Sequence, residues 1–276
     1  YNSFVCFGDG SVVTKDFGID TDEPCEILVL DPATHESRAA PVLLPEPSIG
    51  RIAAEDDTLY VTGITTSYRL RWDPVSGELR LDDDWRHRYR REGGSYGWDP
   101  CLAGGSMWVM DGGAESRSFS GTFRGCGIAP APSRVIRVSV EDPADHEEFE
   151  ISGMPHGFQC NVMVYSPAHD TAVAFDAGNG VVAAWQPDVD GPVLRWRVEL
   201  GHAAHLLLWE DTGELVLGDH DAAHGDHVVI VDIVTGEERV RAPTGAPMQT
   251  ALFPCPGWAR DLYHTTMAGI WRASVT

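Results

Sequence analysis

Trp72-Asp73-Pro74-Val75-Ser76-Gly77-Glu78-Leu79 is a tight corner set between two apolar runs. It returns as Leu30-Asp31-Pro32-Ala33-Thr34-His35-Glu36 and as Val231-Asp232-Ile233-Val234-Thr235-Gly236-Glu237. Looser copies stand at Asp142-Pro143-Ala144-Asp145-His146-Glu147 and Pro187-Asp188-Val189-Asp190-Gly191. In such a corner the aspartate bonds its own backbone, proline presets φ, and glycine takes the positive φ. Each copy follows a β-branched or aromatic run and precedes another short one, the pattern of a hairpin turn. The corner aspartates fall at 31, 73, 142, 188 and 232, spaced by 42, 69, 46 and 44 residues. A repeat near 44 residues marks an array of identical supersecondary units.

Between corners a second pattern recurs: an apolar run, an acidic or glycine turn, then another apolar run. Ile49–Glu55 with Thr58–Gly63 and Tyr96–Leu102 with Ser106–Asp111 are two cases, and His205–Glu210 with Glu214–Gly218 is a third. Strand, turn, strand, loop, strand, corner, strand is one blade of a β-propeller. Six such units fit the chain, which is expected to be all-β, one propeller domain over residues 1–276. The long interval is an insertion at 112–133, rich in Gly, Ser, Ala and Pro, between the second and third strands of the third unit. A long loop on a rigid scaffold serves as a functional lid or as a passive insertion. The sixth unit ends after its third strand, so ring closure calls for a strand upstream of Tyr1 or a seventh blade.

Composition narrows the function classes. The chain has 42 acidic against 20 basic residues, a net charge of −22, which argues against nucleic-acid binding. Lys15 is the only lysine; the arginine bias points to a GC-rich or salt-adapted prokaryotic source whose solubility rests on carboxylates. No apolar run approaches the roughly 18 residues of a membrane helix, and no signal-sequence pattern is present, so a soluble, cytoplasmic protein is expected. The six cysteines form no CxxC pair and are expected as reduced thiols, with Cys6, Cys101 and Cys160 as small core hydrophobes.

Through its Asp-x-x-[Ser/Thr]-Gly corners and surrounding strand pattern the chain resembles the quinoprotein-like and lactonase-like β-propellers, with strictosidine-synthase-like proteins among them. The resemblance spans the whole chain at fold level and implies either an enzyme with an axial metal or cofactor, or a propeller that binds partners. Quinone-dependent members carry a Trp shortly after the corner glycine. Here Gly77 is followed by Glu-Leu-Arg-Leu and Gly236 by Glu-Glu-Arg-Val, so a quinone cofactor is not expected.

In a propeller the loop leading into each innermost strand shares one face with the loop after the second strand. On that face fall His156 and His202, His205 just inside an innermost strand, and His220, His224 and His227 in the loop after Gly218. The Gly112–Ser133 insertion opens there too. Histidines and carboxylates at this density suit a divalent metal (Zn²⁺, Mn²⁺, Fe²⁺ or Ca²⁺) or a general base. The stretch Asp219–His227 matches no standard metal spacing and also reads as a polar surface loop.

His156, His202 and Asp99 are the catalytic candidates, and His156, His202, His205 and Asn161 the candidate metal ligands. Tyr96, Trp98, Phe158, Arg117, Arg124 and Gln249 are the candidate substrate contacts. The expected activity is hydrolase or lyase chemistry on a small organic molecule, metal-assisted in one version. The competing reading is a non-catalytic propeller that binds a protein or ligand through the same face. No Gly-x-Ser-x-Gly elbow and no phosphate-binding glycine loop is present.

Overall fold

A computed structural model describes residues 4–16, 23–48, 50–91, 100–111, 132–155, 157, 163–188, 192–221, 223–246, 251–254, 260–266 and 269–274. These form six antiparallel sheets, and no helix occurs among them. Sheet one holds β1 (Phe4–Cys6), β2 (Val12–Lys15), β3 (Glu26–Leu30) and β4 (Val42–Leu43). Sheet two holds β5 (Ile52–Glu55), β6 (Thr58–Thr62), β7 (Ser67–Asp73) and β8 (Glu78–His87). Sheet three holds β9 (Cys101–Ala103), β10 (Ser106–Asp111), β11 (Arg134–Ser139) and β12 (His146–Glu150). Sheet four holds β13 (Val164–Ser166), β14 (Thr171–Asp176), β15 (Val181–Gln186) and β16 (Val193–Glu199). Sheet five holds β17 (Ala203–Trp209), β18 (Glu214–Asp221), β19 (Gly225–Asp232) and β20 (Glu238–Pro243). Sheet six has three strands among the described residues, β21 (Ala251–Pro254), β22 (Asp261–Thr266) and β23 (Gly269–Ser274).

The innermost strands β1, β5, β9, β13, β17 and β21 neighbour one another in chain order, so the sheets are the blades of a β-propeller. Strand periodicity explains the packing. Successive residues point to opposite faces, so a strand held between two blades must be apolar at every position. In β6, Leu59 and Val61 face sheet one while Tyr60 joins Trp85, Met107, Val109 and Ile136 against sheet three. In β14, Val173 and Phe175 pack toward sheet five, and Ala172 and Ala174 toward sheet three. Val216 in β18 faces Leu252 and Leu262 of sheet six.

The corners are the β3–β4, β7–β8, β11–β12 and β19–β20 hairpins. Asp31 Oδ1 accepts from the Ala33 and Thr34 amides (2.9 and 2.9 Å), and Asp232 Oδ1 from Val234 and Thr235 (2.9 and 2.9 Å). Asp73 Oδ1 accepts from Val75 and Ser76 (2.9 and 3.2 Å). Gly77 and Gly236 take φ of 68° and 72°, while in the first corner His35 occupies that left-handed position at 59°. The ladder resumes across the insertion, with Asp111 paired to Arg134 and Met110 to Val135.

Two expectations need correction. Cys6 is exposed rather than in the core, because alternation in β1 turns only Val5 inward, whereas Cys101, half-buried, does pack against the core between sheets three and four. Cys25 is the fully buried thiol, and burial pushes it up to about 12. His220 and His227 lie in strands rather than in a loop, since the β18–β19 ladder continues to Asp221 opposite Gly225. Cys160 and the 112–131 part of the insertion lie outside the described residues.

Candidate functional site

The strand ends opposite the corners form a rim of polar side chains. In five of the six second strands the last residue, or one near its end, is buried there: Lys15 in β2, Thr62 in β6, Asp111 in β10, Asp176 in β14 and Asp219 in β18. Four of these positions hold the loop that leads into their own blade. Asp219 Oδ1 accepts from the backbone amides of Gly201 and His202 (2.9 and 3.1 Å), and its Oδ2 takes Arg241 Nη1 at 2.7 Å. Asp176 Oδ2 accepts from Ser152 Oγ at 2.6 Å and Asn179 Nδ2 at 2.8 Å. Asp111 pairs with Arg134 at 3.1 Å and Arg91 at 3.4 Å. At Thr62 the backbone serves instead, its carbonyl accepting from Ser48 Oγ at 2.7 Å. A buried carboxylate needs such donors, because desolvation penalises it unless it is hydrogen-bonded or paired.

Of the three histidines named as catalytic or metal candidates, two are described. His202 is half-buried, and its Nδ1 lies 3.1 Å from the Ala177 carbonyl, tying blade five to the turn after β14. His205 sits at the register shift in β17, where Ala204 pairs with Gly218 and Leu206 with Leu217. Its φ is 56°, a left-handed conformation that costs a non-glycine residue on the order of 1 kcal/mol or more. The extra residue of a bulge re-aims its side chain. Burial holds the His205 imidazole below its usual range; the Arg51 charge pushes the same way and Asp226 the other. Arg51 immediately precedes β5 of blade two, three blades from His205 in chain order. Asp226 is buried at the start of β19 and accepts from Thr244 Oγ1 at 2.6 Å.

Among the described residues no group of three or more His, Cys, Asp or Glu is placed to hold a metal ion. The Asp219–His227 stretch borders a cleft of about 440 Å³ with Glu199 and Arg241, but Arg241 is spent on Asp219 and Glu238. His224, exposed, pairs with Asp221 at 2.9 Å. A Ser166–His169–Glu210 cluster on the corner side has the wrong order for nucleophilic catalysis. Ser166 Oγ sits in its middle, 2.9 Å from His169 Nδ1 and 2.8 Å from Glu210, and is fully buried. A wider cleft of about 630 Å³ opens on that side between blades three and four. Its Arg137 is held by Ser106, Asp145 and Glu147, and its Asp170 by Tyr165 and Gln186.

Tyr96, Trp98, Asp99, Arg117, Arg124, His156, Phe158, Asn161 and Gln249 lie outside the described residues. Sequence reasoning missed the rim carboxylates and Arg51. The carboxylates had a signal, a charge closing an apolar strand: Trp108-Val109-Met110-Asp111, Ala172-Val173-Ala174-Phe175-Asp176 and Leu215-Val216-Leu217-Gly218-Asp219. Arg51 had none, because the histidine its charge bears on lies a half-chain away.

No protein-family model matches the chain, and no curated protein does. Solved structures do. The periplasmic gluconolactonase PpgL of Pseudomonas aeruginosa is 14% identical with a TM-score of 0.60, over 95% of this chain and 77% of that one. A provisionally assigned 6-phosphogluconolactonase of Bacteroides fragilis is 13% identical with a TM-score of 0.57, over 95% and 76%. Sqt1 of Saccharomyces cerevisiae is 10% identical with a TM-score of 0.67, over 98% and 69%. Likeness at these identities establishes the shared propeller fold and leaves the chemistry to the site.

Proposed function

We propose that this protein is a propeller hydrolase that opens a small ester or lactone at the rim of its central channel. His205 is the base, and Arg51 receives the developing negative charge. The observation that carries this reading is His205 itself, a strained, half-buried imidazole on a bulge, held below its usual range first by burial and then by the charge of Arg51. Strain of this kind persists only where the surrounding structure enforces it, and it clusters at functional sites. Two structural neighbours whose names carry lactonase activity agree with the reaction class.

The chemistry follows from the two groups. A depressed pKa keeps the imidazole neutral, and so able to accept a proton, further into acid than a free histidine. It removes a proton from water as the oxygen attacks the carbonyl carbon. Arg51 stabilises the oxyanion of the tetrahedral adduct. When the ring C–O bond breaks, the imidazolium returns its proton to the departing alkoxide, and a hydroxy acid leaves.

A panel of aldonolactones and simple aryl esters, followed by acid release in a pH-stat, tests the reading. Turnover is expected, with kcat/KM falling about 10²-fold or more in His205→Asn while the fold is retained. A panel without turnover, or an unaffected His205→Asn variant, returns the molecule to a binding propeller, a role compatible with the shape it shares with Sqt1.

A further inference from the structure

Thr62, Ser67 and His87 stand side by side across blade two. Thr62 pairs with Ser67 between β6 and β7, and Ser67 pairs with His87 between β7 and β8. Residues directly opposite in antiparallel strands share one face of the sheet, with Cβ atoms about 5 Å apart. That face is turned to blade three, because Tyr60 and Trp85, each two residues along the same strands, pack with Met107, Val109 and Ile136. All three residues of the row are buried, at 0%, 0% and 7% exposure. Each also carries a buried polar atom that no protein group bonds: Thr62 Oγ1, Ser67 Oγ and His87 Nε2. Buried side-chain polar atoms in folded proteins are in large majority hydrogen-bonded, so three neighbouring exceptions on one row call for a shared partner.

We propose that this row is a binding site for one internal water molecule, held between blades two and three by Thr62, Ser67 and His87. The chemistry of the three groups selects the occupant. His87 Nδ1 lies 3.2 Å from the Pro143 carbonyl. A carbonyl only accepts, so Nδ1 carries the proton and Nε2 of the neutral ring presents a lone pair. Burial, the largest influence on the ring, holds its pKa below the usual range and so keeps it neutral. Nε2 therefore needs a donor, while each hydroxyl has a proton to give. Water meets that set: it accepts from Thr62 and Ser67 and donates to Nε2, within the two to four bonds an internal water makes. An anion has no proton for Nε2. A divalent metal would take the lone pair, but among the described residues no group of three or more His, Cys, Asp or Glu surrounds it. With Nε2 tied into blade two and Nδ1 bonded to the β11–β12 corner, the water completes a hydrogen-bonded bridge from one blade to the next. It also fixes the ring that lies against His146, 4.6 Å between centroids.

Three measurements on the intact protein test the site. A crystal structure that shows ordered water should place one density peak about 2.7–3.2 Å from Ser67 Oγ and from Thr62 Oγ1 or His87 Nε2. In solution, oxygen-17 magnetic relaxation dispersion counts the waters that stay bound longer than the protein takes to tumble. The Thr62→Val/Ser67→Ala variant should lose one such water, and Ser76→Ala, at an exposed corner, none. Long-range ¹H–¹⁵N correlations at about pH 8, above the histidine range, should show His87 protonated at Nδ1 and bare at Nε2. An unchanged count in the double variant, a crystal with no peak on the row, or a proton on Nε2 with Nδ1 bare overturns the proposal. A peak about 2.0–2.1 Å from Nε2 would be a metal ion and overturns it as well. Should the double variant fail to fold, Ser67→Ala alone and the crystal peak decide: a wild-type count there, or no peak, ends the proposal.

Discussion

Aspartate does two different jobs at the two ends of these blades. At the corners Asp31, Asp73 and Asp232 stand at the edge of solvent and bond amides two and three residues ahead in the same hairpin. At the rim Asp111, Asp176 and Asp219 are buried, at 0%, 0% and 3% exposure, and their partners include groups 17 to 24 residues away in sequence. The corner carboxylates shape a turn that water would otherwise solvate. The rim carboxylates hold blade-leading loops in a region where no water replaces a lost partner. Removing a rim aspartate therefore strands buried donors, and removing a corner aspartate mostly returns amides to solvent.

The largest expected effect is Asp111→Ala. Arg134, 8% exposed, would lose its buried carboxylate, and Arg91 would lose the same partner. Breaking a buried pair from one side costs about 3–5 kcal/mol, measurable as a fall in the urea midpoint. Arg134 also reaches Glu148 and the Tyr89 carbonyl, and a loss under 1 kcal/mol would mean that these suffice.

Glycines sharpen the contrast within one face. At Gly236 a Cβ would sit 2.6 Å from Trp196, whereas at Gly77 its nearest contact is the Arg38 carbonyl at 3.6 Å. Both residues have positive φ, so Gly77→Ala should cost about 1 kcal/mol. Gly236→Ala should cost roughly 2–4 kcal/mol once overpacking is added. Equal losses would show that Trp196 moves freely.

Asp219→Ala and Asp232→Ala make the direct comparison in one blade. The rim variant is expected to lose about 2–3 kcal/mol and the corner variant about 1 kcal/mol. Hydrogen exchange should open at Gly201 and His202 only in the rim variant.

The smallest effect is on pH dependence. His87 is 7% exposed; burial lowers its pKa, the neighbouring His146 and Arg134 push the same way, and Glu148 and the Pro143 carbonyl oppose them. Its ring centroid lies 4.6 Å from that of His146. A histidine whose folded pKa is depressed contributes stability that is complete above the unfolded value near 6.5. That contribution is lost as pH falls toward the folded pKa, because the unfolded chain takes up the proton first. His205 adds to the same slope. Urea midpoints at pH 7.5, 6.5 and 5.5 should decline for the wild type and less steeply for His87→Gln; parallel lines would remove His87 from the account.

The repeat, the strand count and the strand order within each blade were legible because they rest on local chemistry. An Asp-Pro or Asp-x-x-Thr-Gly corner makes its own hydrogen bonds, and fully apolar runs mark strands buried on both faces. His202 and His205 were picked out from their place near an innermost strand, but the bulge that strains His205 left no mark in the sequence. The register shift follows from how β17 meets β18. Cys6 was misjudged because alternation gives the residue spacing and not the direction of burial.

The sequence by itself determined the blades, since each closes on contacts within about 45 residues and announces them by period. Only the tertiary structure decided the rim: that Asp111, Asp176 and Asp219 hold loops, and that the lone lysine ties two blades together. The reason is physical. These contacts join residues whose separation carries no periodicity, and what fixes them is the cost of leaving a buried charge without a partner, which exists only once the blades have packed.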